Sequence, residues 1–185
     1  MKILVAFATR HGATQGIAER IAETLEADGF DVTSSHVELL DDVEGYDAYV
    51  IGSAAYMGAW LKEASAFVRH FRGILAGRPV WFFSSGPVGP DTPNGKGVDP
   101  RTASVPRDFA EFERIVPARG TQVFFGVYDP DLSSGTILGR LSKIIPAVKE
   151  ALPAGDFRDW PAIEAWAHGI AAELAAEREI ELAHR

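Results

Sequence analysis

The sequence contains no cysteine among its 185 residues. This absence excludes disulfide bonds, thiolate catalysis, iron–sulfur ligation and zinc sites built on cysteine. Long apolar runs are also missing, so no segment reaches transmembrane length. The N-terminal apolar run meets Arg10 and His11 too early to act as the apolar core of a secretory signal. We therefore expect a cytoplasmic protein.

Positive charge is in short supply, with 18 Lys and Arg against 26 Asp and Glu and a net charge of −8. Such an acidic chain is a poor partner for nucleic acid or an anionic membrane. It suits a protein that docks on basic partners. The 46% hydrophobic fraction allows one domain of ordinary size with a real core. We expect a single domain over residues 1–185.

Several catalytic motifs are absent from the sequence. It has no G-x-G-x-x-G dinucleotide loop, no nucleoside-triphosphate P-loop and no G-x-S-x-G nucleophile elbow. Its five histidines show no metal-ligand spacing. We therefore predict no metal site and name no catalytic side chain.

Apolar runs and helical periodicities alternate along the chain. We predict five strands, at residues 2–8, 31–36, 48–52, 79–84 and 121–128. We predict helices from residue 13 to Gly29, over 61–71, over 107–115, over 137–152 and after Asp159, which is a candidate N-cap. This alternation is typical of an α/β fold with a doubly wound, five-stranded parallel sheet and helices on both faces.

The stretch "FATRHGAT" joins the first predicted strand to the first helix. In a doubly wound sheet, ligands bind beyond the carboxyl ends of the strands. A helix N-terminus offers free N–H groups to a phosphate, Thr9 and Thr14 add hydroxyls, and Gly12 lets the backbone wrap closely. The alternative is an ordinary strand–helix turn without a ligand.

Two further strand ends carry small, hydroxylated or glycine-rich turns, "SAAYMGAW" and "SSGPVG". Together the three turns suit a flat aromatic ligand with a phosphate tail. Tyr56 could stack on such a ring, and so could Trp60; alternatively each packs its loop onto the next helix. The Gly- and Pro-rich stretch 86–106 lacks periodicity, which indicates a loop that is either functional or disordered. In a functional loop, Lys96 and Arg101, with Arg107 just beyond the stretch, could cover the ring and meet carboxylates.

These three loops resemble the phosphate loop and the two ring-flanking loops of the flavodoxin family. The family's T-x-T-G-x-T loop reads "TRHGAT" here, with His11 in place of the middle hydroxyl. Arg10 or His11 either supplies a charge-assisted bond to phosphate or faces solvent. The resemblance implies FMN as cofactor, contacted by Thr9, Arg10, His11, Gly12, Ala13 and Thr14, by Ser53, Ala54, Ala55, Tyr56, Met57 and Gly58, and by Ser84, Ser85, Gly86, Pro87, Val88 and Gly89.

Within this family, the sequence most resembles the menaquinone-dependent protoporphyrinogen oxidase group. It shares the "ILVAFATRHGAT" start, the "GSAAYMG" turn and an insertion at about 129–156. That insertion mixes Arg140, Lys143 and Lys149 with acidic residues, whereas the group's insertion is basic and aromatic.

The resemblance implies an FMN oxidoreductase that passes electrons between an organic donor and a quinone-like or protein acceptor. A protoporphyrinogen-oxidase-like activity is one form of this function. The acidic charge favours an alternative, a flavodoxin-type one-electron carrier that docks on protein partners. A third hypothesis is a flavodoxin-like module without cofactor. We expect a redox partner protein or quinone, with a small-molecule substrate also open, and no contact with nucleic acid or membrane.

Overall fold

Strands and helices alternate along the chain, as the sequence predicts. The computed structural model describes residues 1–86, 89, 99–129 and 154–183. The strands are β1 (Lys2–Ala8), β2 (Asp31–His36), β3 (Ala48–Tyr56), β4 (Ala59–Trp60), β5 (Val80–Ser85), β6 (Gly120–Phe124), β7 (Val127–Tyr128) and β8 (Gly155–Asp156). The helices are α1 (Ala13–Ala27), α2 (Lys62–His70), α3 (Arg72–Leu75), α4 (Pro100–Ala103), α5 (Asp108–Ile115) and α6 (Trp160–Ala183).

The main sheet contains five parallel strands in the order β2-β1-β3-β5-β6. Parallel strands bring all their carboxyl ends to one edge, where the loops to the following helices begin. The strands β1 and β5 are buried almost throughout because helices cover both faces of the sheet. The predicted doubly wound fold is confirmed.

Two apolar layers lie on opposite faces of the sheet. On one face, α1 contributes Ile17 and Ile21, and α6 contributes Ile163 and Leu174. On the other face, α2 and α5 contribute Phe67 and Phe112, among others. Both helices of each pair present their apolar sides to the sheet, and this burial supplies most of the drive for folding.

Three predicted strands end at different residues in the structure, and one of them, β5, is shifted by a single residue from 79–84 to Val80–Ser85. The strand predicted at 48–52 continues to Tyr56 because its last residues pair with β4, Ala55 with Trp60 and Tyr56 with Ala59. The strand predicted at 121–128 stops at Phe124, and β7 pairs instead with β8. The break falls between Phe124, the last residue paired with β5, and Val127, the first residue paired with β8.

The helix starts agree with the sequence prediction more closely. Asp159 accepts a hydrogen bond from the N–H of Ala162 at 3.1 Å, so it caps α6 as predicted. The stretch interpreted as an irregular loop contains one short helix, α4, because Asp99 accepts the N–H of Arg101 and caps it. The helix predicted at 137–152, most of the insertion and most of the 86–106 loop lie outside the described residues. In the described part of the chain, no helix is both long and apolar enough to cross a membrane.

Candidate functional site

The turn between β1 and α1 is built to leave backbone N–H groups free. Gly12 has a left-handed backbone (φ 81°), and its N–H donates to the Thr9 hydroxyl at 3.0 Å. The first helical bond is made by Gly16 N–H, which donates to the Gly12 carbonyl at 3.0 Å. The N–H groups between them therefore have no acceptor within the helix. No acidic residue lies in the first turn of α1, so the helix end keeps its partial positive charge.

The end of this turn is tied to the end of β5. Thr14, on the first turn of α1, is only 1% exposed, and its hydroxyl lies 2.7 Å from the hydroxyl of Ser85. This contact joins the first predicted loop to the third across 71 residues of sequence. Sequence patterns did not reveal it, since neither residue carries a local signal for the other.

Arg10 and His11 are exposed on the same turn. The Arg10 guanidinium lies over the ring of Tyr56, 5.3 Å from its centroid. Burial raises the pKa of the Tyr56 hydroxyl, and the positive charge of Arg10 lowers it in part. The first and second loops therefore meet through this pair, which leaves Arg10 beside the turn rather than in open solvent.

The second loop is a sharp reversal between β3 and β4. Met57 and Gly58 both have positive φ, 52° and 72°, and Met57 is fully exposed. The Gly58 carbonyl accepts the N–H of Arg107 at 3.1 Å, which ties the reversal to the start of α5. Ser53, by contrast, is buried, and its hydroxyl donates to the Ala54 carbonyl and accepts the N–H of Leu61. Its side chain supports the loop from beneath.

The two aromatic candidates of this loop have different environments. Trp60 is 4% exposed and packs edge-on against Phe82, Phe109 and Phe112. Its indole N–H has no hydrogen-bond partner in the described residues. The packing alternative thus holds for Trp60. Tyr56 is 40% exposed and lies at the carboxyl edge of the sheet, where one side of the loop is open to a ligand.

The third loop begins in extended backbone and turns at Gly86. Ser84 is fully buried and donates to the Ser53 carbonyl at 3.4 Å. Gly86 has φ 126°, and its N–H donates to the Phe124 carbonyl at 3.0 Å. A Cβ there would lie 3.5 Å from the Ala55 carbonyl, so the second and third loops approach each other closely. Pro87 and Val88 lie outside the described residues, as do Lys96, Arg140, Lys143 and Lys149.

The structure brings the described members of the predicted set together at one edge of the sheet. Their side chains divide into two groups. Thr14, Ser53, Ser84 and Ser85 are buried and bonded to one another or to backbone, whereas Arg10, His11, Tyr56 and Met57 are exposed.

Two neighbours of the edge were not predicted from the sequence. Phe157 lies against Gly89, where a Cβ would come within 2.8 Å of the ring. Arg158 stacks on Trp160 and reaches Gly16, where a Cβ would meet its guanidinium. The hydrogen bond from Arg158 Nε to Asp156, at 2.8 Å, holds the pKa of that carboxyl below its usual range. These contacts attach the end of the β7–β8 stem to α1 and to the third loop. The only sequence signals for these contacts are Gly89 and Gly16, whose missing Cβ atoms leave space for Phe157 and Arg158.

Arg101 of the long loop already has a partner, because its guanidinium is paired with Asp99 at 2.7 Å. Arg107 is exposed beside the second loop. Of the three cations that we predicted to meet carboxylates, Arg107 is thus better placed than Arg101, and Lys96 lies outside the described residues.

Comparisons with known proteins agree with this geometry. A family model described as a flavodoxin domain matches residues 4–126, which ends just before the β7–β8 stem. Protoporphyrinogen IX dehydrogenase [quinone] of Escherichia coli K12 is 31% identical over 86 residues, 45% of this chain and 48% of that enzyme. The match thus spans about half the length of this curated relative.

Solved structures give the same architecture. The flavodoxin of Streptococcus pneumoniae TIGR4 superposes with a TM-score of 0.54 at 18% identity, covering 96% of this chain and 99% of that one. Flavodoxin 2 of Bacillus cereus has a TM-score of 0.51 at 24% identity, covering 81% of this chain and 99% of that one. Identities this low demonstrate the fold alone. Because the family model covers most of the chain, the protein belongs to the flavodoxin family, a family of flavin-binding redox domains.

Proposed function

We propose that this chain binds FMN at the carboxyl edge of its sheet, with the phosphate on the turn 9–14. The observation that carries this proposal is the N-terminus of α1, where Gly12 opens the turn and no carboxylate opposes an anion. A dianionic phosphate fits this end because free N–H groups and a partial positive charge converge on it. Thr9, Arg10, Thr14 and the backbone between them would hold the phosphate.

The second and third loops would hold the isoalloxazine ring. Tyr56 offers a half-exposed aromatic face, and stacking of this kind contributes about 0.5–1.5 kcal/mol beyond area burial. Gly58 and Gly86 have positive φ, which favours glycine, and without a Cβ they leave the surfaces of the two turns uncovered at these positions. The backbone of residues 54–58 and of Ser85, Gly86 and Gly89 would line the remaining ring edges, and we propose the same for Pro87 and Val88.

We further propose that the bound flavin serves an oxidoreductase that moves electrons from an organic donor to a quinone-like or protein acceptor. FMN supplies the redox chemistry, since its ring accepts hydride or single electrons. The partial match to protoporphyrinogen IX dehydrogenase supports a porphyrinogen-oxidising form of this activity. The chain's own contribution is to seat the cofactor and to leave Tyr56 and Met57 exposed beside it.

FMN binding is tested with two glycines at opposite ends of α1. Gly12 (φ 81°) and Gly29 (φ 91°) both have positive φ, and a Cβ on either meets nothing within 4 Å. Replacing either with alanine costs about 1 kcal/mol of backbone strain. We expect Gly12→Ala to weaken FMN binding by at least about tenfold, or about 1.4 kcal/mol, because the strain distorts the turn proposed to hold the phosphate. We expect Gly29→Ala to leave FMN binding unchanged, because Gly29 lies at the other end of α1. Fluorescence titration of the apoprotein with FMN measures both.

The outcomes of this titration are distinct. An absorption spectrum of the purified wild type, before and after heat release of the cofactor, gives the FMN stoichiometry. A folded, colourless wild type that does not take up added FMN contradicts the proposal. Equal weakening by both glycine variants would also contradict the site, although not the cofactor.

A specific observation also favours a second function, that of a one-electron carrier. The net charge of −8 suits docking on basic protein partners. Steady-state oxidation of protoporphyrinogen with a quinone acceptor separates the two functions. Turnover supports the enzyme. FMN binding without turnover, together with rapid and salt-sensitive reduction by a basic reductase, supports the carrier.

A further inference from the structure

The hydroxyl pair Thr14–Ser85 is the most buried polar contact between the first and third loops. Thr14 is 1% exposed and Ser85 is 6% exposed, and their oxygens lie 2.7 Å apart. Thr14 belongs to the first turn of α1, directly beside the free N–H groups. Ser85 is the last residue of β5. The pair therefore joins the part of the edge suited to an anion with the part suited to a flat ring.

The two hydroxyl groups carry one more donor hydrogen than their mutual hydrogen bond uses. Each hydroxyl can donate one hydrogen bond, and the contact between them employs one of the two. Neither hydroxyl has a second partner among the described residues. One buried O–H is thus left to donate, and a buried donor without an acceptor is costly. An acceptor arriving at this position would satisfy it.

We propose that Ser85 is a positioning residue that sets the direction of the Thr14 hydroxyl and thereby favours a phosphorylated flavin. This inference rests on the proposed function. A phosphate dianion only accepts hydrogen bonds, so Thr14 must donate to it. Ser85 then donates to Thr14 Oγ1, and the two bonds reinforce each other because the first polarises the second. With the opposite direction, Thr14 would present a lone pair to the anion.

The test compares FMN with riboflavin, which has the same ring and no phosphate. We expect Ser85→Ala to raise the Kd for FMN about three- to tenfold, the usual effect of losing one hydrogen bond of this kind. The Kd for riboflavin should change by less than about twofold. A general loosening of the third loop would weaken both ligands equally, so the ratio of the two Kd values separates positioning from packing.

A double-variant cycle shows whether Ser85 acts through Thr14. In a Thr14→Val background, Ser85→Ala should leave the FMN-to-riboflavin ratio unchanged. Thr24→Val is the matched control for Thr14→Val, since Thr24 is also buried on α1 but lies near the opposite end of the helix from the site. The Thr24 hydroxyl donates to the Arg20 carbonyl at 2.8 Å. Thr24→Val should leave the ratio at the wild-type value.

The possible results divide cleanly. A selective loss for FMN that disappears in the Thr14→Val background supports the inference. The inference is overturned, and the proposed function stays intact, if Ser85→Ala lowers the affinity for both ligands equally or lowers neither. It is also overturned if the selective loss of FMN affinity persists in the Thr14→Val background. A wild type that binds neither ligand overturns both. If Ser85→Ala does not fold, Ser85→Cys keeps the volume with a weaker donor, and the same selective loss is required of it.

Discussion

At the residue scale, the ring of Tyr56 is the point at which the first and second loops meet. The ring lies half-exposed at the carboxyl edge, and the Arg10 guanidinium lies 5.3 Å from the centroid. Burial raises the pKa of its hydroxyl, while Arg10 opposes the rise by stabilising the phenolate. A ligand ring placed on Tyr56 would therefore have to share this face with Arg10 or displace it.

Replacing Arg10 tests this arrangement through pH. Removal of the cation in Arg10→Ala should raise the pKa of Tyr56 further, because the phenolate loses its nearby positive charge. Alkaline titration of tyrosinate absorbance measures the shift, and Tyr56→Phe identifies the transition. The pKa of Tyr56 is higher in the folded state than in the unfolded state, where it is about 10. The stability linked to its protonation is therefore fully present below about pH 10 and is lost as the pH rises through the folded-state pKa. An unchanged transition in Arg10→Ala would mean that the two groups do not interact in solution.

Single residues also show where sequence reasoning ends. The turn 9–14 could be predicted because a glycine, two threonines and a change of periodicity are contiguous. The Thr14–Ser85 bond and the contact of Phe157 with Gly89 could not, since each depends on residues about 70 positions apart. The position of Trp60 at a helix start favoured packing over stacking, and the structure gives the partners that the sequence could not, Phe109 and Phe112 of α5.

At the element scale, the start of α5 fastens the second loop. Asp108 accepts the backbone N–H of Trp60 at 3.0 Å and the hydroxyl of Ser65 at 2.7 Å. The neighbouring Arg107 donates its N–H to Gly58. The start of α5 thus holds the reversal that carries Tyr56 and Met57, in addition to the bonds of the turn itself.

Removing this attachment should affect both stability and the loop. Asp108→Ala leaves a buried N–H and a buried hydroxyl without acceptors, so we expect the free energy of unfolding to fall by about 1–3 kcal/mol. Asp108→Asn should cost less, because its amide oxygen can still accept one of the two bonds. Urea unfolding measures both variants, and FMN affinity should decrease in the same order. An Asn variant as unstable as the Ala variant would contradict the hydrogen-bond explanation.

Element boundaries were predictable where the cause is local. The residue bounds of β1 and β2 agree with the prediction because turn residues flank each run directly. The end of β3 differed because a tight reversal, only two residues long, pairs its last residues with β4. β6 ends early because the chain beyond it pairs with β8, on the far side of the insertion. Only the second of these differences depends on a partner distant in sequence.

At the scale of the whole molecule, the chain leaves and rejoins the domain at one point. Val127 pairs with Asp156 and Tyr128 with Gly155, so the two ends of the intervening segment are adjacent. The flavodoxin family model also stops at residue 126. We propose that residues 1–185 form one domain that carries this segment as an insertion at about 129–156.

Shortening the insertion tests this organisation. A two-residue Asn-Gly turn joining Tyr128 to Gly155 suits an antiparallel pair, and we expect the shortened protein to fold and to bind FMN with a Kd within about threefold of the full chain, under about 1 kcal/mol. Thermal unfolding and FMN titration measure this. Loss of folding would show that the insertion belongs to the core of the domain. Comparing porphyrinogen turnover of the shortened and full chains then tests whether the insertion serves the proposed enzyme.

The apolar layer formed by α1 and α6 has a consequence for folding during synthesis on the ribosome. All three loops of the candidate site have been synthesised by residue 89. The face carrying Trp81, Phe83 and Phe124 is covered in part by α1, and Ile163 to Leu174 of α6, which are made later, complete the cover. Until then, we expect a nascent chain to expose part of this aromatic surface. We therefore expect the docking of α6 to be a late folding step that lowers the tendency of a new chain to aggregate.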